Sequence, residues 1–258
     1  MTMTASTAYI DMEFAGIYGT HQGMQIPIEI GVVIHKPDTD LLLFAGKAFN
    51  RNIDVELWKN ITDDVGKRIE GKRRVFNLAF PGHTKNFDKK FHLDTNDRKE
   101  ARRAIAVVYQ DLREFMRALN YKDICTLVFF ARRREIEAFR NSRVKTDDFL
   151  IRDLQDEIRS SFHLKEHVSL DRVSLITQFG ITKSTVSSAH FSYTLPEKFR
   201  YLIKPHKAIG DAARIFLVDL EFHRYKERFG EHLTGHIEEY ERRKMAEAPE
   251  RDSGNGQS

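Results

Sequence analysis

The chain has 258 residues, 41% of them hydrophobic, and a single cysteine, Cys125. That apolar content supports a sizeable core and excludes whole-chain disorder, while one cysteine excludes an internal disulfide and a cysteine-based zinc cluster. The net charge is +4, too small to identify a polyanion-binding protein unless its distribution does so.

Residues 1–7 carry neither a basic segment nor an apolar one. Apolar runs such as residues 41–45 fall far short of the roughly 20 residues that span a bilayer. The expectation is a cytoplasmic protein of a reducing compartment with no membrane association.

Strands are predicted at residues 8–14, 26–35 and 41–49, rich in Ile, Val, Leu and Phe, with a turn at Pro37-Asp38. Three strands in quick succession suggest an antiparallel meander. Residues 54–71 read as a helix or two short ones, and residues 72–96 as an irregular segment. Asp97 is a plausible N-cap for a helix over 98–119, where Ile105, Val108, Leu112, Phe115, Met116 and Leu119 share a face. The apolar run 124–130 fits a strand covered on both sides. A helix over 133–140 and a short strand over 148–151 follow. Helices are expected at 154–162 and 170–179, and a loop or short hairpin at 184–193. A long amphipathic helix is predicted over 207–229, and a charged helix continues it to about residue 245. The domain organisation expected is one α/β unit over 1–230, a charged helix over 231–248 and a disordered tail over 249–258.

Asp11 and Glu13 stand inside the first apolar strand. The side-chain period of a strand is two, so both project from one face. Adjacent buried anions are costly, and a divalent cation relieves that cost; an edge strand with a wet face is the plain alternative. Near the other end, His206 precedes a helix that carries Asp211 in its first turn. Each element alone has an ordinary explanation.

Together, Asp11-Met12-Glu13 and His206-Lys207-Ala208-Ile209-Gly210-Asp211-Ala212 resemble the DEDDh family of 3′→5′ exonucleases. That family carries D-x-E on its first strand and H-x-A-x-x-D-A at its last long helix. Pro27-Ile28-Glu29-Ile30-Gly31-Val32 looks like the family's second strand. His lies five residues before the last Asp, and Lys207 stands where the tyrosine-type branch has Tyr. The resemblance spans about residues 7–222, with only the two ends specific. It implies a ribonuclease H-like fold, in which a central mixed five-stranded sheet, three antiparallel strands followed by parallel ones, is flanked by helices.

It also implies a two-metal phosphodiesterase. Asp11, Glu13 and Asp211 would hold two Mg²⁺ or Mn²⁺ ions, and His206 would be the general base. The third acid departs from the pattern: Glu135 falls where the family has Asp, with Glu137, Asp147 and Asp148 as alternatives. The substrate implied is the 3′ end of single-stranded RNA or DNA.

Residues 65–103 hold twelve Lys or Arg against five Asp or Glu, a distribution suited to phosphates or to a solvated basic face. Arg132, Arg133 and Arg134 beside Glu135 are candidate phosphate contacts. Phe14 is a candidate contact to the terminal nucleotide, with a core position as the alternative. The competing expectation for the whole chain is a catalytically impaired member of the same fold, kept as a nucleic-acid or protein binding module.

Overall fold

A computed structural model describes residues 5–16, 25–49, 59–61, 76–78, 91–95, 98–119, 123–197 and 207–247. The first three strands, β1 (Ser6–Gly16), β2 (Gln25–Lys36) and β3 (Leu41–Ala48), form the expected meander. Short strands follow: β4 (Lys59–Ile61), β5 (Phe76–Leu78) and β6 (Phe91–Thr95), which make a small sheet in the order β4-β6-β5. Lys59–Ile61 was expected within a helix, and residues 76–78 and 91–95 within an irregular stretch. Pairing with β6, a partner far off in sequence, overrides the local pattern at both places.

Helix α1 (Arg98–Ala118) and strand β7 (Ile124–Phe129) match the predicted spans within one residue at each end. Next come α2 (Arg133–Asn141), β8 (Leu150–Asp153), α3 (Leu154–Ser161) and α4 (Leu170–Ile176). Asp153 caps α3 by accepting from the Gln155 and Asp156 amides. The same carboxylate accepts the Ala131 and Arg132 amides at 3.1 and 3.0 Å, and so ties the start of α2 to that of α3.

Strands β9 (Gly180–Ile181), β10 (Thr185–Ser187) and β11 (Ser192–Thr194) form a small antiparallel sheet, resolving the loop-or-hairpin alternative as a hairpin. The last described elements are α5 (Ala208–Arg224) and α6 (Lys226–Glu247). Glu221 of α5 anchors the hairpin by accepting the Ser188 hydroxyl at 2.7 Å and the His190 amide at 2.8 Å.

The main sheet has the order β3-β2-β1-β7-β8. β1 is antiparallel to β2 and parallel to β7, and β8 is parallel to β7. The five-stranded mixed α/β sheet therefore stands as expected. Helices α1 and α2 cover one face, over Ile10, Met12, Phe14, Leu127 and Phe129. Helices α3 to α6 cover the other, over Tyr9, Val33, Phe44 and Val128. Parallel strands with helices on both faces bury apolar residues on both sides, which is why residues 124–130 read as a continuous apolar run.

The expected boundary at 230/231 falls inside α6. The break is at Tyr225, and the first turns of α6 are core: Phe229 and Leu233 are buried, and Phe229 stacks on Phe162 with ring centroids 5.9 Å apart. Residues 248–258 lie outside the described residues.

Candidate metal centre

β1 alternates by the rule of two. Ala8, Ile10, Met12 and Phe14 point toward α1, so Tyr9, Asp11 and Glu13 point toward α5. Across the ladder Asp11 faces Gly31 and Glu13 faces Glu29. Gly31 is what allows α5 to arrive. A Cβ built there would overlap the Ala208 carbonyl carbon and the Ile209 nitrogen. Gly46 of β3 pairs with Gly31, and a Cβ at Gly46 would already touch the Ile209 side chain at 3.5 Å. A two-glycine floor thus lets the first turn of α5 lie directly on the sheet and carries Asp211 to β1.

As a result, carboxylate oxygens of Asp11, Glu13 and Asp211 lie within 4.8 Å of one another, although 200 residues of chain separate the first from the last. Asp211 is 7% exposed, and so is Glu135 from the first turn of α2. Burial raises the Asp11 carboxyl well above its usual range, with Asp211, Glu135 and Glu13 adding repulsion and Arg214 opposing. Burial likewise pushes Glu13 up to about 7, reinforced by Asp211 and Glu29 and opposed by Lys207. Glu135 rises to about 8, again chiefly from burial, with Asp153 and Glu13 among the groups that raise it further. Glu135 is therefore electrostatically part of the acid group. Glu137, Asp147 and Asp148, the alternatives for its role, are exposed.

Three cations touch the edge of this group. Lys207 Nζ lies 3.2 Å from Glu29 Oε2. Arg214 bonds Asp211 Oδ1 at 2.7 Å and is itself held by Ser174 and Asp171. Arg134 lowers Glu135 through space. Glu29, Lys207 and Arg214 were not among the expected site residues. The signals existed, since Glu29 is the cross-strand partner of Glu13 and Arg214 stands at i+3 from Asp211.

A second acid cluster shows how this fold treats carboxylates that are structural. Glu157, Asp219 and His223 also lie within 4.8 Å of one another. Arg152 already sits among them, bonding Glu157 Oε2 at 2.6 Å and Asp219 Oδ1 at 2.8 Å, and Tyr9 donates to Asp219 Oδ2 at 2.8 Å. Burial acts to raise Asp219, but His223 and Arg152 outweigh it and hold the carboxyl below its ordinary value. By contrast, Asp11 and Glu13 make no side-chain hydrogen bond or ion pair among the described residues, and Glu135 Oε2 is buried without a partner. An all-oxygen, desolvated and under-neutralised donor set fits a hard divalent cation such as Mg²⁺ or Mn²⁺.

The other expected residues are not gathered here. Phe14 is 5% exposed on the α1 side of the sheet, opposite the acids, and is a core residue and not a nucleotide contact. The period of two that aims Glu13 at α5 turns its neighbour away. Arg132, Arg133 and Arg134 are all exposed. Ala131 takes a left-handed turn (φ 63°) just before them. Arg132 and Arg133 line a cavity of about 780 Å³ between α2 and α3, together with Arg140 and His167. His206 lies outside the described residues, as does most of segment 65–103. Among the described residues no helix is long and apolar enough to cross a membrane. Compared with known protein families and with curated proteins, the chain matches none of them significantly.

Proposed function

We propose that the protein is a divalent-metal-dependent 3′→5′ exonuclease with a ribonuclease H-like fold, acting on single-stranded ends of RNA or DNA. The observation that carries this reading is the meeting of Asp11, Glu13 and Asp211 within 4.8 Å, where Arg214 pairs with Asp211 but Asp11 and Glu13 make no side-chain hydrogen bond or ion pair among the described residues. Asp11, Glu13, Asp211 and Glu135 would hold two Mg²⁺ or Mn²⁺ ions. Bound there, the ions supply a lowered water pKa and charge neutralisation at a phosphodiester.

The protein's own groups do the rest. His206, which lies outside the described residues, would accept the proton of the attacking water, the role the resemblance implies for it. The exposed arginines at the start of α2 hold backbone phosphates without reading sequence. Lys207 and Arg214 fix the orientations of Glu29 and Asp211.

One observation favours a second reading, a binding module of the same fold that has lost catalysis. Arg214 already occupies one oxygen of Asp211, and Glu135 supplies a longer side chain where the resembled family has Asp. One assay separates the two. Oligonucleotides labelled at the 3′ or 5′ end are incubated with Mg²⁺, Mn²⁺ or EDTA, beside Asp11→Asn, Asp211→Asn and His206→Ala. Stepwise loss from the 3′ end, abolished by EDTA and reduced roughly 10²–10³-fold or more in each variant, is expected. Persistent cleavage in Asp211→Asn overturns the site assignment. Oligonucleotide binding without cleavage in either metal establishes the module.

A further inference from the structure

At the opposite end of β7 the protein has a second cavity, of about 600 Å³. Ile124, the first residue of β7, lines it, whereas the acids gather beyond the strand's other end. Six residues of strand separate the two places by roughly 20 Å.

The lining has a definite chemical character. Arg113 and Arg117 enter from successive turns of α1, and Arg143 and Lys145 enter from the segment after α2. Among the described residues the one carboxylate in the wall is Asp148. Among the described residues none of the four cations makes an ion pair. Arg113 Nε is shut off from solvent and has no hydrogen-bond partner. The remaining wall is apolar: Ile124 is buried, and Val144 and Phe149 are half-buried.

This combination differs from the cavity between α2 and α3. There, three arginines and a histidine face Glu137, Asp153 and Asp156, and Asp153 is already engaged by backbone amides and Arg132. In the cavity beside Ile124, four positive groups face one acid, and an aromatic ring lies among them. A volume of this size suits a small molecule held by an apolar wall and a few convergent polar groups. Arginines match phosphate oxygens in a planar fork and stack on flat rings.

The geometry points to a second ligand site in this cavity, for a small phosphorylated molecule with a planar ring, of the class of a free nucleoside phosphate. Arg113, Arg117, Arg143 and Lys145 take the phosphate, and the apolar wall of Ile124 and Val144 takes the ring. The site does not depend on the acids and stands whether or not the exonuclease reading does.

AMP, adenosine and pyrophosphate are titrated calorimetrically into the full chain in excess EDTA, which keeps metal from drawing phosphate to the acids. AMP is expected to bind at one site per chain, with pyrophosphate competing and adenosine weaker by about tenfold or more. Affinity should fall as salt rises. The double variant Arg143→Gly, Lys145→Ala is expected to weaken AMP by about tenfold or more at unchanged melting temperature. Residue 143 has φ 55°, a conformation glycine adopts without strain, so loss of the fold would not explain that result. Asp11→Asn should bind AMP as the parent does. No AMP binding up to about 10 mM, equal affinity for adenosine, failure of pyrophosphate to compete, binding unchanged in the double variant, or binding lost in Asp11→Asn would each overturn the site.

Discussion

Asp11 and Asp219 are both drawn into the seam between β1 and α5, and their environments are opposite. Asp219 is met by Arg152, His223 and the Tyr9 hydroxyl, so its charge is favoured. Asp11 is buried and meets other carboxylates, so its charge is opposed. The sign of the pH dependence follows. Glu13 and Glu135 titrate at about 7 and about 8 in the fold, against 4.5 as ordinary carboxyls, and Asp11 shifts the same way. Between pH 4.5 and about 8 the folded chain therefore binds more protons than the unfolded chain. Stability in a chelator should fall as pH rises through that window. Asp11→Asn removes one of the repelling charges. It is expected to flatten the slope and raise the melting temperature at pH near 8 by about 2–4 °C, the shift for about 1 kcal/mol in a chain of this size. Thermal melts across the window, with and without the substitution, check this; a melting temperature that rises with pH would contradict it.

At the scale of elements, the site depends on a close approach more than on any single ligand. Gly31 carries no chemistry, yet it sets the distance between β2 and the first turn of α5. Gly31→Ala must push backbone against backbone, at a cost of about 1–3 kcal/mol or more. It should also lower divalent-cation affinity as Asp211 moves off β1. Calorimetric Mn²⁺ titration of the variant at a temperature where it remains folded tests this, and unchanged affinity would show that α5 holds Asp211 independently of the glycine floor. This explains which parts of the fold were legible in the sequence. The period of two in β1 made Asp11 and Glu13 readable as one face, and the 3.6-residue period made α1 readable almost to its ends. Asp211 was readable as a first-turn acid, but its meeting with β1 rests on a contact between distant glycine and helix backbone that no local pattern encodes. Phe14 went astray because adjacency in sequence is opposition in a strand. The cavity beside Ile124 was not legible because its cations come from α1 and from the segment after α2, whereas the visible cluster of basic residues lay at 65–103.

For the whole molecule, the cation site proposed at the acid group would link cation binding to folding. A cation at about 100 times its dissociation constant adds about 2.7 kcal/mol. In a chain of this size that corresponds to a rise of about 5–10 °C in melting temperature. Mg²⁺ or Mn²⁺ should produce such a rise in the parent and little in Asp11→Asn, as read by differential scanning calorimetry; equal shifts in both would place the stabilising ion elsewhere.

The pairing of the first strand with the penultimate helix also has a consequence for biosynthesis. At ribosomal rates of roughly 5–20 residues per second, Asp211 emerges some 10–40 s after Asp11. Throughout that interval the α5 side of β1 and β2, with Tyr9 and Val33 on it, has no cover from the helix that buries it in the finished fold. The nascent chain therefore carries an open, sticky sheet face and an incomplete acid group at the same time. Completion of α5 ends both conditions together, because it covers the sheet face and brings Asp211 to the other two acids.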